Sequence, residues 1–297
     1  MLLVARLLAF LPLSLLRGLG ALLGLLVWAS SGGTRRLTEA NLAQAQPLTA
    51  GLSARAVLQE TGRSLIEMLW VWLRPGGDVL SRVHCADRSV VDAALAQGKG
   101  VLLITPHMGC FEVAAQWLAK TYGEVAPITV LYRPPRKAWV KPLVEDARQR
   151  EHLNLAPAEL RGVRLMLKAL KRKELVGMLP DQVPAMGEGV IAPFFGRPAY
   201  TMVLPGKLAL NTGAPVVMAI ALRRPGGWDL RFAPFTGQFI GEDAADAATM
   251  NRAVEDMVAL DPIQYLWAYN RYRMPDGALA AASAPAQATP PTDGAGT

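Results

Sequence analysis

The sequence predicts an α/β protein: a largely parallel, mixed sheet flanked by helices, with an apolar N-terminal membrane-anchoring helix and a disordered C-terminal tail. Three observations predict it. Short apolar runs, GVLLIT at 100–105, PITVLY at 127–132 and PVVMAIAL at 215–222, alternate with longer amphipathic or basic segments. That is the pattern of buried strands joined by crossover helices. Residues 1–29 are strongly apolar, broken only by Arg6, Pro12 and Arg17. Residues 278–297 are Ala, Pro, Thr, Gly and Ser with almost no large apolar side chain, too little to offset the entropy of ordering them. The expected division is an anchor at 1–30, an α/β domain at 31–277 and a tail at 278–297.

The apolar run after Arg17 is about a dozen residues, short of the ~20 that cross a bilayer. Crossing would draw Arg17 towards mid-membrane at about 2.5–3.5 kcal/mol on insertion scales. Arg6 and Arg17 lie about three helical turns apart, so they share a face, with Ser14, Gly20 and Gly24 near it. Such a helix either lies in the membrane interface or spans while packed against the body. A cleaved signal peptide, with Trp28-Ala29-Ser30-Ser31 near the cleavage point, is the alternative. Arg17 in the apolar core and a count of two cysteines speak against it. Arg35 and Arg36 favour the cytoplasmic side.

Residues 54–74 read as a helix with Leu58, Leu65, Leu69, Trp72 and Leu73 on one face, ended by Pro75-Gly76-Gly77. A strand at 100–105 and a helix at 111–120 follow, then a strand at 127–132. Basic helices are expected at 137–150 and 161–173, and a strand at 175–180. After these come a helix at 201–212, a strand at 215–222, a strand of edge-like alternation at 228–233, and a helix at 244–259. Cys85 and Cys110 form no framework and are expected as reduced thiols.

In sheets of this kind the reactive groups stand where strands end and helices begin. One such point reads T-P-H-M-G-C-F-E, residues 105–112. Pro106 and Gly109 are turn residues, which leaves His107 on the loop and Glu112 in the first helical turn. On one continuous helix a spacing of five holds two side chains about 140° apart. Across a loop, the chain can fold His107 back over Glu112. A carboxylate on one imidazole nitrogen fixes the tautomer and leaves the other as a base, able to take the proton from an alcohol attacking an ester or thioester. A loop histidine that merely caps the helix is the plainer alternative. Cys110 is too close along the tight turn to act as a nucleophile with His107, and reads as a small buried residue. His84 and His152 have no metal-ligand spacing, and H-E-x-x-H is absent.

Further pieces accompany this motif: Tyr132-Arg133-Pro134, Leu179-Pro180-Asp181-Gln182, PFFG at 193–196, PAYT at 198–201, TGAPVV at 212–217, PIQYLWAYNRYR at 262–273, and Asn41 after the apolar helix. An H-x4-D/E pattern after a strand resembles the glycerolipid acyltransferase superfamily. The ordered set, over about residues 1 to 275, resembles the late acyltransferases of lipid A biosynthesis, the lauroyl/myristoyl transferase family. The resemblance implies that an acyl chain moves from an acyl-carrier-protein or coenzyme A thioester to a hydroxyl of a lipid A precursor. His107 would be the general base and Glu112 its orienting partner. Arg133 would aid the oxyanion or bind a phosphate, and Asp181 and Gln182 would shape the site. Arg164 and Asn41 complete the expected substrate-binding set. No metal or redox cofactor is implied. The implied partners are acyl carrier protein, an anionic glycolipid acceptor and the cytoplasmic face of a bacterial inner membrane. One departure stands out: Tyr269 and Asn270 precede Arg271 where the family pattern has His-Arg, which bears on the acceptor more than on the reaction.

The charge agrees with an anionic partner. The formal net charge is +7 and the pI about 9.6. Residues 133–173 carry twelve Lys/Arg against four Asp/Glu, either a solvated helical face or a rim for lipid phosphates and an acidic carrier. Nucleic-acid reader motifs and aromatic–basic interleaving are missing. PFFG, Trp70 and Trp72 are candidates for an acyl groove or for ordinary core. Three rival readings remain: acylation of a lysophospholipid or other hydroxylated lipid, hydrolysis with His107 activating water, and non-catalytic binding of anionic lipid.

Overall fold

A computed structural model describes residues 9–133 and 150–278. Arg6, Pro134, the helix expected over 137–150 (all but Arg150) and the expected tail beyond Ala278 lie outside the described residues. The order is α1 (Leu13–Ser30), α2 (Gly32–Gln44), α3 (Ala54–Leu73), α4 (Gly76–Leu80), β1 (Val83–His84), α5 (Ser89–Ala96), β2 (Val101–Ile104) and α6 (Phe111–Tyr122). Then come β3 (Ile128–Tyr132), β4 (Leu153–Pro157), α7 (Leu160–Lys171), β5 (Leu175–Met178), β6 (Gly189–Phe194) and β7 (Arg197–Met202). The chain continues through α8 (Leu204–Thr212), β8 (Val216–Arg224), β9 (Gly227–Pro234) and α9 (Asp243–Ala259).

Among the described residues, seven strands form one sheet in the order β1-β9-β8-β2-β5-β3-β4. The five strands from β8 to β4 are mutually parallel; β9 returns antiparallel to β8, and β1 runs parallel to β9. This is the expected α/β class. β2 and β5 are buried at every residue, as strands covered on both faces must be. One apolar cluster fills the side between the sheet and α7, α8 and α9, another the side of α5 and α6. The fold thereby brings the C-terminal ends of β2, β3, β5 and β8 to one edge of the sheet.

Several expectations need correction. Residues 201–212 are not one helix: Tyr200 to Met202 belong to β7, paired with β6, and α8 starts at Leu204. PFFG is the tip of that hairpin. Phe195 sits at φ 45°, held by Glu255, which accepts its N–H at 2.6 Å, and by Gln44, which donates to its carbonyl at 2.8 Å. Phe194 and Phe195 pack with Tyr265, Trp267 and Tyr272 in the core. Trp70 lies in the core too, against Trp228. On α3 the buried face is Val57, Leu58, Gly62, Glu67, Trp70 and Val71, and Leu65 is exposed.

The reason is α1, which lies along α3. A Cβ on Gly24 would stand 2.0 Å from the Leu58 carbonyl oxygen, so only glycine permits this approach. Arg17 turns inward on the same face. Its Nε donates to Glu67 at 2.8 Å, and its two terminal nitrogens donate to the carbonyls of Arg224 (2.7 Å) and Gly227 (2.9 Å). Glu67 is fully buried and also receives Arg223. Removing one member of such a network strands the other charges, at about 3–5 kcal/mol. Glu67→Ala is therefore expected to lose that much stability in denaturant unfolding of the detergent-solubilised protein. A loss below about 1 kcal/mol, the size of a surface pair, would show that this contact does not hold α1 in place.

Candidate active site

The loop after β2 is held on two sides. Gly109, at φ +57°, lies so close to β8 that a Cβ would stand 2.2 Å from the Ala221 carbonyl oxygen. Cys110 N–H donates to that carbonyl at 2.9 Å. On the other side, Gly109 N–H donates to the Gln264 carbonyl (3.1 Å), Leu266 N–H donates to the His107 carbonyl (3.1 Å), and Met108 bridges to Tyr265. The QYLW motif thus fixes the histidine loop. Burial, with Glu67 next in weight, pushes the Cys110 thiol well above its usual range, which removes it as a nucleophile.

His107 is half-buried and its ring meets the edge of Phe111, centroids 5.2 Å apart. Its Nδ1 stands 2.7 Å from Asp181 Oδ1, and its backbone N–H donates to Asp181 Oδ2 at 2.9 Å. The carboxylate on Nδ1 is therefore that of Asp181, not the expected Glu112. Asp181 lies just past β5, beside β2 in the sheet, so two parallel neighbours deliver the pair together. An ionised carboxylate only accepts, so Nδ1 carries the proton and Nε2 keeps its lone pair.

Burial alone would raise the pKa of Asp181. The His107 ring and the two hydrogen bonds from His107 outweigh it and hold the carboxyl below its ordinary value of 3.8. Around Asp181, burial and then the charge of this carboxylate push the Tyr265 phenol well above its usual range. The Arg271 guanidinium adds opposite charge nearby, anchored on the Tyr200 carbonyl and Thr201 Oγ1, each at 2.7 Å.

A cavity of about 290 Å³ opens beside this pair, between α6 and the ends of β2, β3, β4 and β5. His107, Glu112, Arg133 and Gln182 form its polar part; Leu103, Leu118, Ile128, Val130, Leu153 and Leu155 line the apolar remainder. Gly177 belongs to this wall, with Val130 and Ile128 facing the space a side chain would take. Two other expected residues lie elsewhere. Arg164 is exposed on α7, which turns Met166, Ala169 and Leu170 inward. Asn41 is buried, its Nδ2 donating to the carbonyls of Trp267 (2.8 Å) and Tyr269 (3.0 Å), so it ties α2 to the C-terminal segment. Sequence reasoning missed Tyr265 as part of the site, although the QYLW motif contains it.

A base with a fixed tautomer, at one end of an apolar cavity and beside an exposed arginine, suits proton removal from a hydroxyl whose reaction partner carries a fatty chain. Comparison with known proteins points to acyl transfer. A family model described as bacterial lipid A biosynthesis acyltransferase matches residues 1–274. A lipid A biosynthesis lauroyltransferase of Escherichia coli K12 is 26% identical over 74% of this chain and 71% of its own length. A lipid A biosynthesis acyltransferase of Haemophilus influenzae is 24% identical over 88% of this chain and 82% of its own. A phosphatidylinositol mannoside acyltransferase of Mycobacterium tuberculosis is 27% identical over 57% of this chain and 52% of its own.

Proposed function

The chain belongs to the bacterial lipid A biosynthesis acyltransferase family and transfers an acyl group to a lipid acceptor; from that premise we propose that it esterifies a hydroxyl of a lipid A precursor, with an acyl-carrier-protein or coenzyme A thioester as donor and His107 as base. The observation that carries this reading is the His107–Asp181 pair at the head of the apolar cavity. The acyl chain lies in the cavity, and its thioester carbonyl sits near His107. Nε2 takes the proton as the acceptor oxygen attacks the carbonyl carbon. Asp181 stabilises the imidazolium that forms. The tetrahedral oxyanion collapses, the C–S bond breaks, and the proton passes from Nε2 to the departing thiolate. Arg133 meets either the oxyanion or an acceptor phosphate. Glu112 lines the same polar end of the cavity.

The membrane meets α1 by its outer side, where Leu15, Leu19, Leu22, Leu23 and Leu26 are exposed. This helix is long and apolar enough to cross a bilayer by length and composition. Its inner side, however, is committed to Glu67 and the β8–β9 turn, and spanning would carry those charged groups into hydrocarbon. An interfacial helix on the cytoplasmic face of the inner membrane fits better. A different glycolipid acceptor is the second reading, favoured by the phosphatidylinositol mannoside acyltransferase among the relatives.

The test incubates the purified protein with thioesters of graded chain length and each acceptor, and weighs the products by mass spectrometry. The expected result is one added ester on the lipid A precursor. Gly177→Val, which fills part of the cavity wall, is expected to shift the preference to shorter chains. Free fatty acid as the sole product would establish a hydrolase instead.

A further inference from the structure

A second cavity, of about 260 Å³, opens at the far end of β8, lined by Arg17, Arg63, Arg223, Arg224, Glu60 and Gln264 among others. We propose that it binds the phosphate of an anionic phospholipid headgroup from the surrounding membrane. Two carboxylates are shared among these four arginines: Glu67 pairs with Arg17 and Arg223, and Glu60 with Arg63 and Arg223. Among the described residues, Arg224 has no carboxylate partner; its Nε donates to the Trp228 carbonyl at 3.2 Å. The cluster therefore holds two positive charges more than it balances, and forked guanidinium donors suit phosphate oxygens.

Its position selects a lipid over a free ion. Arg17 lies on the inner face of α1, whose outer face exposes Leu15 and Leu19, and Arg63 lies on α3, which exposes Leu65. The two helices that expose apolar side chains thus also carry donors for lipid headgroups, the combination that interfacial helices use. The pocket also lies on the reaction side of the molecule. β8 runs six residues past Met218, which pairs with Ile104, so it extends about 20 Å beyond the end of β2. Gln264 lines the pocket and, through its carbonyl, holds Gly109 of the histidine loop; Ser64, next to Arg63, donates to the Gly109 carbonyl at 3.2 Å. A headgroup seated here keeps the catalytic edge of the sheet turned towards the membrane.

The experiment is co-sedimentation of the full chain with vesicles of phosphatidylcholine alone or mixed with phosphatidylglycerol, at constant ionic strength. The wild type is expected to prefer the mixed vesicles. Arg63→Ala/Arg224→Ala is expected to lose that preference by roughly five-fold per arginine. The pair Arg161→Ala/Arg164→Ala, on exposed positions of α7, is expected to keep it. Arg224→Ala alone, at an exposed position, keeps the test valid if the double variant misfolds. Equal losses in both pairs would mean general surface charge, and no loss in the first pair would mean no lipid site; either overturns the proposal. A thermal shift by inorganic phosphate that the first pair abolishes, with no change in vesicle preference, would assign the pocket to free phosphate and overturn it too.

Discussion

Replacing His107 by Asn is expected to lower kcat/KM for acyl transfer by about two to four orders of magnitude, the usual worth of a positioned general base. Asn is the sharper choice over Ala. Its side-chain amide still offers an N–H towards Asp181, so the buried carboxylate is not left unpaired, but it accepts no proton. The backbone N–H of residue 107 continues to bond Asp181 Oδ2, and Leu266 still holds the loop. Steady-state kinetics with a thioester donor, alongside vesicle binding, separates the readings. A variant that binds membrane as before and transfers no acyl chain supports the mechanism; transfer within a few-fold of wild type would remove His107 from it.

Asp181→Asn is expected to have an effect of similar size, about two to four orders of magnitude in kcat with KM little changed. The amide nitrogen can donate to Nδ1, which moves the imidazole proton to Nε2 and hides the lone pair that the acceptor hydroxyl needs. Stability gives an independent readout with a defined sign. The folded-state pKa of Asp181 lies below its ordinary value of 3.8, so the ionised group stabilises the fold above that value. This contribution fades as the pH falls through the lower folded-state value. Unfolding of the wild type and Asp181→Asn followed from neutral to acid pH should show their difference shrinking only below the ordinary carboxylate range. A difference that grows on acidification would contradict the charge state assigned here.

The parts of the fold legible in the sequence were those set by local pattern. The apolar runs of β2, β3, β5 and β8 stand out because strands buried on both faces tolerate few polar residues. β4 reads LNLAP and the β6–β7 hairpin contains Pro193, Gly196 and Pro198, so neither shows the usual signature. Within the site, the loop position of His107 followed from Pro106 and Gly109. Its partner did not, because Asp181 is 74 positions away and reaches Nδ1 only through the pairing of β2 with β5. The nearby Glu112 was the natural guess from spacing. Asn41 and Arg271 show the same limit from the other side: polar residues that stand out in a sequence serve here as buried ties between distant segments.

The bridge between Met108 and Tyr265 has a consequence for biosynthesis. His107, the proposed base, lies in the first half of the chain, yet its loop is pinned by residues that leave the ribosome more than 150 positions later. A nascent chain can settle on the bilayer through its early leucine-rich helix long before that. On the proposed mechanism, a chain that lacks the late segment is expected to transfer no acyl group, because nothing yet pins the histidine loop.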